Sequence, residues 1–553
     1  MNKHRAERPG NPLLNASLVM AVGTIFSRLT GFVKTALVAV ALGVSINADV
    51  FTVANTVPNT MYILVAGGVF NVVLVPQLVR AMKHDSDGGD AYANRVVTLG
   101  LLVLLVATVV LVVVTPFLAR LLFDPSLFTA EFSAERDSAY ALMRYCMPQV
   151  FFYGAFVLCG QILNARGRFG PMMWAPITNN LVSGLVLLSY IAVYGSSEPD
   201  ASGGFSNSAE LLLGLGSTLG IAVQAAVLIP YLRKAGFRYR MRFDFRGVGL
   251  GHTIKLGVWT LLFVIVNQIT YIVVNRLATA SSTEASSEGT QAAGATVYQI
   301  AFLISQVPHG IITVSVFTAT IPLLSSLAAD REYVRMRGEL VGAMRMVLVA
   351  IVPIAVAVAC TGQLLATAMT SYGGLTGSTH VIGKTIIAFT PAMVLFSLQY
   401  MTLRGFYADE DTRTPFTIQI WLALTNIVAA VVLTSFARTD QVAMYLAVSY
   451  GLAYFVGFLI ASTKLSNRIG AIFTPPMLGF LLRLALASAV SGVVILGCVR
   501  LGDEVGVSGD SARAAFVLLG FSGAVGAVAY VIAARLLRLR EVTGLLRAIR
   551  GRG

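Results

Sequence analysis

The chain is predicted to be an all-α integral membrane protein of about 14 transmembrane helices, two six-helix halves followed by a C-terminal pair. Three observations lead there. Only 12% of the residues are charged and 56% are hydrophobic, against about 25% charged in soluble domains, so a water-facing surface could not be covered. Apolar runs of roughly 20 residues, enough to cross about 30 Å of hydrocarbon at helical rise, recur along the whole length. They are continuous rather than short and alternating, which excludes a barrel.

Taken in order, the basic segment MNKHRAERPGNPLL reads as a cytoplasmic tail, residues 1–14. A signal peptide is not expected there, because the following run continues through Lys34 to Gly43 without a small-residue cleavage site. The first span begins near Asn15 and carries Arg28 and Lys34; the second begins near Ala48, opens with Asp49 and contains Pro58, with Pro76 further on. The third, near Ala93, holds the unbroken run VVTLGLLVLLVATVVLVVV. The fourth, from Ser138, stops at the polar turn Arg166-Gly167-Arg168, and Pro171 opens the fifth. Proline suits a first helical turn because its φ is already fixed and its missing N–H is not needed there. The sixth starts near Ala209 and closes a first half over residues 15–235, with a basic cytoplasmic linker at 236–250.

The second half, residues 251–466, repeats the scheme. Its spans begin near Gly251, Gln291, Gly338, Thr379, Pro415 and Asp440. The eighth is interrupted by Pro308 and Pro322, as the second is by Pro58 and Pro76, and the polar stretch YADEDTRTP (Tyr407–Pro415) precedes the eleventh as the Arg-Gly-Arg turn precedes the fifth. Asp411, with Thr412 or Thr414, is expected to cap the helix opened by Pro415. Spans near Met477 and Ala512 complete residues 467–540, and 541–553 form a basic tail. Repeated halves with broken helices are the sequence pattern of secondary transporters, whose site lies between the halves.

Charge sets the orientation. With both termini cytoplasmic, the inside loops hold about 18 Lys and Arg against roughly 6 outside. The net charge of +14 is then explained by topology and attraction to anionic lipid, and no nucleic-acid partner is called for. Cys146, Cys159, Cys360 and Cys498 lie in or beside apolar runs and read as small core residues, not as a disulfide framework or zinc site. No Walker A loop, metal cluster or paired nucleophile and base is present, so neither an ATP-driven pump nor a hydrolase has residues to support it.

Some cations fall where lipid would penalise them. Arg28 and Lys34 lie well inside the first span, where each costs roughly 2.5–3.5 kcal/mol unless it meets water or a partner. Six residues of helix set them about 240° apart, so one regular helix would not put both on one face, although a bend at Gly31 would. Asp49 is the nearby acid expected to orient one of them. Arg276 shares the seventh span with Asn267, Gln268 and Asn275. Several cations with few acids describe a site for an anion, since guanidinium forks and an ammonium suit phosphate oxygens. Arg28, Lys34 and Arg276 are therefore the candidate anion-binding residues. Asn55, Asn59, Gln268, Gln306 and His309 are candidate polar groups of the same cavity. Arg144, Arg345, Arg404 and Arg483 sit nearer the cytoplasmic ends and read as interfacial anchors.

Two stretches carry a family resemblance. FSRLTGFVKTALVAVALGVSINADVFTVANTVPN, followed by GGVFNVVLVPQL, resembles the N-terminal signature of the MurJ (MviN) lipid II flippase family, and LRGFYADEDTRTP resembles its second. The resemblance extends from about Asn15 through Ser466. It implies a MATE-like fold of the multidrug/oligosaccharidyl-lipid/polysaccharide exporter superfamily: two six-helix lobes in a V, and two C-terminal helices forming a lipid groove. It also implies transport of undecaprenyl-pyrophosphate-linked peptidoglycan precursor, lipid II, by alternating access across the bacterial plasma membrane for cell-wall biogenesis. The family's cations in the first span match Arg28 and Lys34, its acid in the second matches Asp49, and its cation in the seventh matches Arg276. The chain departs from the pattern at Tyr62, where relatives often have Arg, at Gly67, where they have an acid, and at Phe302 and Leu303, which replace an Asp-Arg pair. The acid of a sodium site described for some relatives is Ala430 here. No cofactor is implied; the membrane potential is the expected driving force, and cell-wall synthesis and division proteins are the expected partners. Rival readings are an exporter of another polyprenyl-linked oligosaccharide, a multidrug exporter, whose cationic drugs would call for acids in the cavity, and a non-transporting scaffold, which would call for a charge-poor one.

Overall fold

The structure, a computed structural model, describes residues 12–64, 89–168, 170–196, 203–244, 250–370, 378–504 and 511–542. Among these residues the regular elements are all helical. The first half contains α1 (Pro12–Leu42), α2 (Ile46–Tyr62), α3 (Asp90–Val113), α4 (Thr115–Leu122), α5 (Ser133–Cys146), α6 (Gln149–Ala165), α7 (Gly170–Tyr194), α8 (Asn207–Ala226) and α9 (Leu228–Lys234). The second contains α10 (Leu250–Glu288), α11 (Ala295–Pro308), α12 (Val314–Ala329), α13 (Tyr333–Thr370), α14 (Thr379–Ala408), α15 (Arg413–Thr434) and α16 (Val442–Ile469). The C-terminal pair is α17 (Pro475–Glu504) and α18 (Ala512–Leu536).

Twelve stretches of the described residues are long and apolar enough to cross a membrane, with α5–α6, α8–α9 and α11–α12 each forming one span. The helix α1, 31 residues long, and α2, which runs to the edge of the described residues, account for the other two of the expected fourteen. GGVFNVVLVPQL, Gly67, Pro76, the N-terminal tail to residue 11 and the tail beyond 542 lie outside the described residues.

Local chemistry fixes the helix ends. The Ser45 hydroxyl accepts from Ala48 N at 3.3 Å to start α2, and Ser206 and Ser511 do the same for α8 and α18. Pro171 stands at the second position of α7. At α15 the cap is Asp411, whose Oδ1 accepts from Thr414 N at 2.9 Å. Pro308 ends α11, and a π-helical turn, His309–Thr313, carries the chain into α12. A proline with no N–H to donate is one ordinary cause of such a local rewinding.

Helix pairing repeats between the halves. Within the first, α1 packs on α7, α2 on α5, α3 on α6, α5 on α8, and α7 on α8; within the second, α10 packs on α15, α11 on α14, α13 on α14, α14 on α16, and α15 on α16. Span for span the two lists coincide, so the internal repeat is one of architecture as well as sequence. The helices α17 and α18 pack on each other and on α13. Outer faces such as Val103, Val106 and Val113 of α3 are exposed and apolar, as a surface bathed in lipid requires.

The halves meet at the end of the bundle opposite the basic loops. There the first-half core of Leu42, Phe51, Leu122 and Leu142 continues into Val274, Ala278, Ala295 and Leu446 of the second half. The hydrogen bonds joining the halves gather at the same end: Asp49 to α10 and α11, Thr52 to Thr296 at 3.1 Å, Asp124 N to Thr279 Oγ1 at 3.1 Å, and Ser126 to Thr283 at 2.7 Å.

Candidate functional site

The helix α1 is held by α7. Asn180 Nδ2 donates to Ser27 O at 3.0 Å and to Thr30 Oγ1 at 2.9 Å, and Gly23 lies under the Trp174 ring. At about 100° per residue, Lys34 falls on the stripe of Gly23, Ser27 and Gly31, and Arg28 stands about 120° round the helix from Lys34. No break occurs at Gly31; α1 runs through it. Arg28 is half-buried, and its guanidinium lies directly against Gly310, in the π turn of the other half. Its Nε is buried without a hydrogen-bond partner. Lys34 turns instead toward Cys146 of α5, beside Gln149, whose amide donates to Asn55 Oδ1 at 3.1 Å. Among the described residues neither cation has a carboxylate within ion-pair distance, and neither does half-buried Arg276.

Asp49 sits differently from its expected place beside a cation. Its carboxylate is buried and accepts from Ser282 Oγ at 2.6 Å, Ala295 N at 2.8 Å and Thr296 N at 2.7 Å. It thus caps the N-terminus of α11, where free N–H groups and the helix dipole favour an anion. Gly294 leaves no room for a Cβ beside it. No Lys or Arg of the described residues pairs with Asp49. Its partners identify it as a clasp between the halves at the far end.

The polar candidates divide. His309 is buried; its Nδ1 is 3.0 Å from Ser397 Oγ, and its ring meets Phe396 and Tyr400 edge-on. Gln306 approaches the Tyr450 hydroxyl at 3.5 Å. Asn59 is exposed and Gln268 half-buried. Tyr62, where relatives often carry Arg, stacks on Tyr153, and Phe302 joins a ring cluster with Tyr298, Phe389 and Tyr450. Leu303 is half-buried. Ala430 is fully buried, and Asn426 is engaged by the Ser449 hydroxyl at 3.0 Å.

One residue that the sequence reading treats as an anchor belongs to this neighbourhood. Arg404 lies over the Tyr400 ring at 4.4 Å and donates to its hydroxyl at 2.6 Å, while His309 is within electrostatic reach of both Arg28 and Arg404. The available signal was the spacing Ser397, Tyr400, Arg404, which places all three on one face of a helix. Arg28, His309, Tyr400 and Arg404 so form a cationic and aromatic cluster that joins α1 of the first half to the π turn and α14 of the second.

The basic end is braced by ion pairs. Burial alone would raise the Asp411 carboxyl, but Thr414 and the Arg468 guanidinium, 2.6 Å away, hold it below the usual carboxylate range. A hydrogen bond from Arg95 does the same for Asp244.

A sequence model of the family described as "Lipid II flippase MurJ" matches residues 38–515. The chain belongs to the MurJ lipid II flippase family. Relatives named "Probable lipid II flippase MurJ" include that of Haemophilus influenzae, 26% identical with 73% of this chain and 78% of the relative covered. The one from Thermotoga maritima is 23% identical, with 97% and 98% covered. Among solved structures, "Lipid II flippase MurJ, inward closed conformation" superposes with a TM-score of 0.70 at 18% identity, covering 94% of this chain and 98% of that one. An inward-facing MATE family transporter of the MOP superfamily gives 0.59 at 15% identity, covering 82% and 98%. The MurJ family consists of lipid II flippases, so the chain is a transporter and not an enzyme, with a MATE-like fold and lipid II as the substrate the family implies.

Proposed function

We propose that the chain carries lipid II from the cytoplasmic to the outer leaflet of the bacterial plasma membrane by alternating access, with the basic end and both termini cytoplasmic. The observation that carries this reading is Arg28: a half-buried guanidinium with no carboxylate partner among the described residues, laid from one half against the π turn of the other. A charge so placed is costly unless it meets water or an anionic partner, and a pyrophosphate is such a partner. The pyrophosphate enters from the basic end, passes Arg404, and is held by Arg28, with Lys34 and Arg276 adding positive charge from α1 and α10. The undecaprenyl tail stays in lipid beside α17 and α18. The hydrogen bonds gathered at the far end keep that side shut while the basic side receives cargo.

Driving force follows from charge. Moving a pyrophosphate outward across an inside-negative potential gains about 2.3 kcal/mol per charge per 100 mV. Any contact with cell-wall synthesis and division proteins lies on the loop surfaces at either end. The test is complementation: cells depleted of their own flippase and given this chain are assayed for lipid II in the outer leaflet. Restored growth and translocation support the reading; protein at normal abundance in the membrane without translocation contradicts it.

A further inference from the structure

A cavity of about 820 Å³ opens on the first half, lined by residues of that half and of the segment that follows it. Val97 of α3, Phe152 and Cys159 of α6, and Ala226 of α8 line it, and Arg233 and Arg238 stand at its basic-end mouth. Along α6 its lining runs from Phe151 to Ile162, eleven residues of rise or about 16 Å of helix. That is the depth of one leaflet of hydrocarbon.

The mouth is built by the segment expected to be a linker. Phe237 is 2% exposed, with the Arg166 guanidinium over its ring; the Tyr239 hydroxyl meets Thr98 Oγ1 at 3.1 Å, and Arg240 N donates to Asn94 Oδ1 at 2.7 Å. Residues 236–244 are so strapped onto α3. Charges at the mouth are unequal: Arg95 and Arg242 pair with Asp244, and Arg166 with Asp90. Arg233 and Arg238 are exposed and meet no carboxylate among the described residues. An apolar slot about one leaflet deep, ending in two guanidiniums that meet no carboxylate among the described residues, suits a molecule with an acyl chain and an anionic head.

We propose that this groove binds an acidic phospholipid of the basic-face leaflet, one acyl chain lying between α3, α6 and α8 and the phosphate held between Arg233 and Arg238. A zwitterionic lipid fills the slot equally well, but its own cation cancels the gain at the mouth.

The purified full chain is exposed to mixed micelles of dioleoyl phosphatidylglycerol or dioleoyl phosphatidylcholine, and retained lipid is counted by native mass spectrometry. The wild type retains phosphatidylglycerol over phosphatidylcholine by roughly tenfold or more, the scale of one charge-assisted hydrogen bond. In Arg233→Ala/Arg238→Ala that preference disappears. In Ala226→Trp, which fills the slot from an exposed position and leaves both arginines, it disappears as well. Alkylation of Cys159 by N-ethylmaleimide gives a readout independent of mass: phosphatidylglycerol slows it in the wild type and not in Ala226→Trp. Equal retention of the two lipids by the wild type overturns the site. So does a phosphatidylglycerol preference that survives Ala226→Trp, because charge on the face would then act without the groove.

Discussion

Asp49→Ala and Asp49→Asn bear on how the far end stays shut. The carboxylate receives three hydrogen bonds from donors in the other half: Ser282 Oγ, Ala295 N and Thr296 N. When the halves part, those donors and the carboxylate meet water, so the loss falls on the joined state alone. In Asp49→Ala all three buried donors lose their acceptor, at about 1–3 kcal/mol each. Asp49→Asn keeps an acceptor for Thr296 N and a partner for Ser282, whose hydroxyl can accept, and strands only Ala295 N. A loss of about 1–3 kcal/mol moves a two-state equilibrium by roughly 5–150-fold, so Asn shifts the population measurably and Ala shifts it further. The assay is disulfide formation between cysteines placed at Ser126 and Thr283, whose hydroxyls are 2.7 Å apart across the join, with Cys146, Cys159, Cys360 and Cys498 replaced. Cross-linking should slow in the order wild type, Asn, Ala. Equal rates in all three would refute the clasp.

Other outcomes follow from single residues. Arg28→Lys should keep part of the transport that Arg28→Ala loses, because an ammonium supplies the charge without the fork; the measure is lipid II appearing in the outer leaflet. A Cβ at Gly310 would fall on the Arg28 guanidinium, the movable end of a flexible side chain, so Gly310→Ala should cut transport severalfold while leaving Tm nearly unchanged. The depressed Asp411 carboxyl contributes stability that is full above the unfolded value of about 3.9 and is lost as pH falls through its lower folded value. Thermal unfolding followed from pH 6 to 3 should show that loss in the wild type and less of it in Arg468→Ala.

The spans were legible because a lipid solvent leaves long apolar runs that no soluble core needs. The repeat was legible because prolines and polar turns punctuate both halves at matching places, and the pairing of α1 with α7 and α10 with α15 gives it physical form. Arg28 was legible as a charge in the wrong solvent. Asp49 was legible as a buried acid but not as a clasp, since its partners lie 233 to 247 residues further along the chain and only folding brings them together. Arg404 was hidden for a related reason: a cation near a helix end looks like an anchor until Tyr400 and His309 are seen beside it. The strap at 236–244 read as a solvated linker because its arginines outnumber Phe237, the residue that pins it.

Reconstituted flipping tests the central claim most directly. Proteoliposomes containing the wild type or Arg28→Ala at equal density are loaded with lipid II, and the fraction reaching the opposite leaflet is followed over time. The account predicts transport by the wild type and a loss of roughly tenfold or more in Arg28→Ala, the worth of a charge-assisted contact with the pyrophosphate. Equal rates from both proteins would contradict it.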